Sequence, residues 1–110
     1  MPQTAKAFLV RYNLGMACSS ASQHLAAIEQ FKIAKRLMDE QNVRDGALHN
    51  SLGWAYLQSG DYANAVQQLR LAREPALYAK LSELTKRQVD NNLALAESYL
   101  SMRPAARAGR

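Results

Sequence analysis

Leu14–Ala34 reads LGMACSSASQHLAAIEQFKIA, and Leu52–Ala72 reads LGWAYLQSGDYANAVQQLRLA. Laid over one another at a shift of 38 residues (52 − 14 = 38), Leu14 falls on Leu52, Gly15 on Gly53 and Ala17 on Ala55. Ala27 falls on Ala65, Gln30 on Gln68 and Ala34 on Ala72. Conservative pairs fill the intervals: Ile28 with Val66, Phe31 with Leu69, Lys32 with Arg70 and Lys35 with Arg73. The matches fall at helical spacings and need no gap. A repeated unit of this length points to a chain built from one helical supersecondary motif used more than once.

Composition agrees. In 110 residues, 48% are apolar, with 5 Gly and 3 Pro, too few for a turn-rich β fold. Cys18 stands alone, so no internal disulfide can form. The single Cys and the two distant histidines, His24 and His49, offer no metal-ligand spacing. The formal net charge is +5, and three of the 14 positive residues are Arg103, Arg107 and Arg110. Without them the balance is 11 − 9 = +2, so the basic character is largely a property of the tail and weak evidence for nucleic acid. No stretch approaches the ~20 apolar residues that span a bilayer. Leu14–Cys18 is similar to a lipoprotein cleavage site, but Arg11 and Asn13 interrupt the run before it, and the segment reads as a helix.

The spacing Leu-Gly-x2-aromatic followed by Ala-x3-Phe resembles the tetratricopeptide repeat (TPR) family. The first copy runs Arg11-x2-Leu14-Gly15-x2-Cys18 and then Ala27-x3-Phe31. The second runs His49-x2-Leu52-Gly53-x2-Tyr56 and then Ala65-x3-Leu69. A third start follows at Asp90-x2-Leu93-Ala94, 41 residues on (93 − 52 = 41), with Ala106 at the later alanine position. The chain departs from the family at Arg11, His49 and Asp90, where a large aromatic is usual, and at Asp39 and Leu77, where Pro is usual. The resemblance implies an all-α fold of antiparallel helix-turn-helix repeats stacked as a short right-handed α-solenoid. About two and a half repeats would form one domain: 8–41, 46–79 and a partial 85–110.

Helices are expected near 4–20, 23–40, 44–59, 62–73 and 86–101, with a short helical turn within 76–84. Gly60 is placed to end one helix in a left-handed conformation and Asp61 to cap the next. Ser20 with Gln23 and Thr85 with Gln88 read as capping boxes, and Leu84 with Val89 as a hydrophobic staple. Pro75 breaks the chain between units. Because the third unit lacks most of a second helix, an apolar face formed by Leu93, Ala96 and Leu100 is expected to lie uncovered.

In the TPR family the first helix of each repeat lines a concave groove. The resemblance places Tyr12, Met16, Ser19, Asn50, Trp54, Leu57, Asn91, Leu95 and Ser98 there. Trp54 reads either as an anchor for a partner or as core packing, and Asn50, Asn91 and Asn92 either as ligands for a partner backbone or as solvated amides. Co-chaperones of the family clamp a terminal carboxylate with Lys, Asn and Arg. The matching positions here, Tyr12, Met16, Ser51, Gln88 and Asn92, lack those cations, so that mode is not expected. No phosphate loop, dinucleotide fingerprint or triad is present.

The expectation is a non-enzymatic scaffold with no catalytic residues, metal or cofactor, binding a partner peptide or helix. The alternative is self-assembly into a homo-oligomer through the third repeat. Nucleic acid is not an expected partner. The string Asn91–Ala96 is similar to bacterial TPR proteins of Flp-type pilus assembly. The expected compartment is the cytoplasm, or the periplasm within a longer exported protein.

Overall fold

The computed structural model describes residues 3–102, with side-chain surroundings from Lys6 onward. All regular structure among them is helical: α1 (Gln3–Ser20), α2 (His24–Glu40), α3 (Gly46–Ser59), α4 (Tyr62–Ala72), α5 (Pro75–Tyr78) and α6 (Glu83–Ser101). Arg103, Arg107, Arg110 and Ala106, and with them the end of the third expected repeat, lie outside the described residues.

The helices pair because small residues let them. A Cβ built on Gly53 would sit 2.6 Å from Leu69 Cγ, and one on Gly15 would sit 2.6 Å from Phe31 Cε1. Any side chain at these positions would push α3 off α4 and α1 off α2. Phe31 and Leu69 are completely buried as a result. A second link repeats at the same register. Arg11 donates to Gln30 Oε1 at 3.1 Å, and His49 Nδ1 lies 2.8 Å from Gln68 Oε1, each residue displaced by 38 from its counterpart.

Each helical pair then packs against the next element. Phe31, Ala34 and Met38 of α2 share a buried cluster with Leu48, Leu52 and Ala55 of α3. Leu57, Ala65, Val66 and Leu69 share another with Ala96 of α6, with Leu93 and Leu100 packed against it. Full burial of side chains such as Phe31, Leu48, Leu52 and Leu69 contributes about 1.5–3 kcal/mol each. Exposed ion pairs, Arg70–Glu97 at 2.8 Å and Arg73–Asp90 at 2.9 Å, fasten the α4–α6 edge. Such pairs add only ~0.2–1 kcal/mol each.

The face Leu93, Ala96 and Leu100, expected to be uncovered, is therefore the packed one. α6 lies along α4 and turns these residues inward, leaving Leu84, Leu95, Tyr99 and Met102 exposed instead.

The turns after α1 and α3 have the same form. Gly60 adopts φ +87° and Ser22 φ +61°, again 38 positions apart. Gln23 N–H reaches Cys18 O at 2.8 Å and Asp61 N–H reaches Tyr56 O at 2.9 Å, the long-range bond of a Schellman ending. Asp61 caps α4 through Asn64 N–H at 3.3 Å, as expected. Ser20 does not cap α2. It is the last residue of α1, and Gln23 stands at the cap of α2 with no side-chain hydrogen bond. α3 begins at Gly46, two residues later than expected, because Asp45 captures Ala47 N–H at 2.9 Å. α6 begins at Glu83, earlier than expected. Ser82 takes Thr85 N–H at 3.1 Å and accepts the cap role assigned to Thr85. Leu84 then points to solvent while Val89 is buried, so the expected staple is absent. Pro75 occupies the first turn of α5, where its missing N–H costs nothing.

Ser22 holds a left-handed conformation that costs an L-residue about 1 kcal/mol and glycine little. Ser22→Gly should raise the unfolding free energy by about 0.5–1 kcal/mol in urea titration, the gain being reduced by the added freedom of the unfolded chain.

Candidate functional site

α1, α3 and α6 converge on one open cavity of about 400 Å³ lined by Met16, Ser19, Ser20, Asn50, Ser51, Trp54, Gln88 and Asn92. The contacts that bring these helices together are light and polar. Tyr12 Oη lies 3.4 Å from Ser51 Oγ, and Ser51 Oγ donates to Met16 Sδ at 3.6 Å. Asn50 Nδ2 donates to Gln88 Oε1 at 3.4 Å, and Asn92 Nδ2 donates to Asn50 Oδ1 at 3.2 Å. Tyr12 with Ser51, and Asn50 with Asn92, occupy corresponding places in successive units.

The lining carries no ionisable side chain. It presents hydroxyls, carboxamides, one thioether and one indole, which is uncharged hydrogen-bonding capacity beside apolar surface. Trp54 keeps 37% of its surface exposed and belongs to neither buried cluster. Its ring is a wall of the cavity.

Of the positions expected to line a groove, Met16, Ser19, Asn50 and Trp54 line this cavity. Leu57 does not: only 5% exposed, it is packed with Ala65, Val66, Leu69 and Ala96. The reason is that α3 is flanked on both sides, so the position that is exposed in α6 as Ser98 is enclosed in α3. Tyr12 is half-buried, its ring 5.8 Å from both Phe8 and Phe31, and serves the first cluster. Asn50 is buried, and its amide is committed to Gln88 and Asn92. Asn91, Leu95 and Ser98 lie exposed along α6 outside the cavity lining. Ser20, Ser51, Gln88 and Asn92 line it instead. Three of these, Ser51, Gln88 and Asn92, are positions singled out by the comparison with carboxylate-clamping proteins.

Titration is perturbed away from the cavity. Tyr78 Oη donates to Asp90 Oδ2 at 2.8 Å, and this hydrogen bond, then burial, raises its pKa above 10. Arg73 and Lys86 lie 5.1 and 5.6 Å from its ring centroid, fixing α5 against α6. Burial, with Asp61 and Glu29 nearby, raises Tyr56 as well. Among the described residues no group of three His, Cys, Asp or Glu could hold a metal ion. No described helix is long and apolar enough to cross a membrane.

Trp54→Ala, which removes a partly exposed side chain, should cost about 1–3 kcal/mol in urea unfolding, and the completely buried Leu52→Ala about 2–5 kcal/mol. A raised phenol pKa means that the Tyr78 contribution is complete below pH 10 and is lost as pH climbs through the folded-state value. The stability advantage of wild type over Tyr78→Phe should accordingly be present at about pH 8 and disappear in strongly alkaline buffer, read as urea midpoints.

No family model, curated protein or solved structure matches this chain, so the reading of the cavity rests on its own residues.

Proposed function

We propose that the chain is a non-enzymatic protein-interaction module of the tetratricopeptide type. In this reading α1–α2 and α3–α4 are two repeats and α6 opens a third, stacked as a short right-handed solenoid whose first helices face a common groove. The groove holds a peptide or helix of a partner protein. The observation that carries this reading is the half-exposed Trp54 beside Met16, set among neutral amides and hydroxyls contributed by three helices. An indole wall supplies apolar area at low entropic cost, and the carboxamides of Gln88 and Asn92 match a peptide backbone, which is also neutral and bears both donors and acceptors. A lining without acids, bases or thiols offers nothing to move a proton or to attack a substrate in the manner of a general-base enzyme.

A second reading, self-assembly through α6, draws on the exposed Leu84, Leu95, Tyr99 and Met102 along that helix. Equilibrium sedimentation of wild type against Leu95→Lys would separate the two, because only self-assembly makes the mass depend on concentration and on that residue.

The groove is tested by selecting binders from a displayed random-peptide library and measuring their affinity by calorimetry. Selected peptides should lose about 30-fold in affinity for a folded Trp54→Ala variant, the scale of a binding hot spot. Peptides that bind the variant as well as they bind wild type would place recognition elsewhere on the molecule.

A further inference from the structure

We infer that the occupant of the groove is an extended, uncharged segment of a partner protein, its backbone held between a hydrogen-bond donor fixed at Gln88 and an acceptor fixed at Asn92. The inference rests on the groove reading above and goes one step beyond it, by choosing an extended segment over a helix.

The choice comes from a chain of three carboxamides. Asn92 Nδ2 donates to Asn50 Oδ1 at 3.2 Å, and Asn50 Nδ2 donates to Gln88 Oε1 at 3.4 Å. Both bonds run in the same sense, from Asn92 through Asn50 to Gln88. Asn50 is only 7% exposed, and its oxygen and nitrogen are both in use. A carboxamide has one accepting end and one donating end, so the direction of the middle amide sets the outer two. Gln88 commits its oxygen to Asn50 and presents Nε2, which only donates. Asn92 commits one N–H to Asn50 and presents Oδ1, which accepts, with its second N–H. Both residues line the cavity.

Their spacing fits an extended backbone. Gln88 and Asn92 stand four residues apart on α6, a rise of ~6 Å. An extended chain repeats the N–H and C=O groups of one edge every two residues, ~6.6–6.8 Å. One such edge can give a carbonyl to Gln88 and an N–H to Asn92. A helix has no such edge, because its interior N–H and C=O groups are bonded to one another and side chains face outward. A helix seated here would take Gln88 Nε2 and Asn92 Oδ1 out of water with no backbone group to pair them, which weakens binding.

The lining also sets the side-chain chemistry. It holds no ionisable group, so a charged residue of the partner would lose its hydration with no counter-ion in the lining. Met16 and Trp54 supply apolar surface for a neutral side chain. Successive side chains of an extended chain point to opposite faces, so one can meet the indole while the backbone edge meets α6.

The test uses the full chain and peptides selected from the displayed random library, restricted to those that bind folded Trp54→Ala more weakly. Each backbone N–H of such a peptide is replaced in turn by an ester oxygen, which removes the donor and keeps the shape. Calorimetry should find one position where the ester binds about fivefold more weakly, the scale of one hydrogen bond. Against Asn92→Ala that penalty should shrink to within about twofold. Gln88→Glu keeps an oxygen for Asn50 but removes the donor, and should bind the unmodified peptide about tenfold more weakly with the ester penalty retained. Gln88 is exposed, so this variant gives a reading even where Asn92→Ala loses its fold. Aligned on the sensitive position, the selected sequences should lack charged residues there and at both neighbours. Peptides that tolerate an ester at every position, or bind Gln88→Glu as well as wild type, would overturn this inference and leave the groove reading standing. A majority of binders carrying charge at the sensitive position would overturn it too. Finding no peptide that depends on Trp54 would overturn the groove reading, and this inference with it.

Discussion

The close approach of Phe31 to Gly15 and of Leu69 to Gly53 is the constraint from which the rest of the structure follows. With no side chain on the facing residue, each second helix lies deep against its first helix, and the large residue fills the gap completely. That depth presents Ala34 and Met38 to α3, and Val66 and Leu69 to the side where α6 lies. A helical pair of this kind leaves apolar surface on its outer side, and stacking neighbours bury it. The ion pairs and amide links along the edges orient the helices, while the buried clusters supply most of the free energy.

The cavity has its origin in the same packing. Where α1, α3 and α6 meet, contacts are few and polar, and the space between them stays open. Asn50 is used to hold α3 against α6, which leaves Gln88, Asn92 and Trp54 facing the opening. The cavity is a gap between three helices lined by neutral polar groups, beside Met16 and Trp54.

Much of this is legible in the sequence. The shift of 38 aligns Gly15 with Gly53 and Phe31 with Leu69, and steric need alone makes those pairs informative. Gly60 followed by Asp61 marks both the left-handed ending and the cap. The misreadings have local causes. Ser20 has capping chemistry, but the Schellman ending at Ser22 extends α1 through it. Ser82 and Thr85 both suit a cap, and the earlier one prevails because it gains an extra helical turn. Leu57 and Tyr12 reach the cavity only by analogy of position, and Asn50 lines it with its amide already committed to Gln88 and Asn92. Their burial depends on which neighbours flank each helix, and a single-helix pattern does not encode that. The apolar identity of Leu57, set against Ser19 and Ser98 at the matching places, is the available signal.

The central claim is that α1, α3 and α6 meet in register to form one cavity. It is tested most directly by nuclear Overhauser contacts in an isotopically labelled chain. The account predicts contacts between the Tyr12 ring and Ser51, and between the side-chain amides of Asn50 and Asn92. Absence of both in a well-folded sample, with α6 contacting α4 alone, would contradict it.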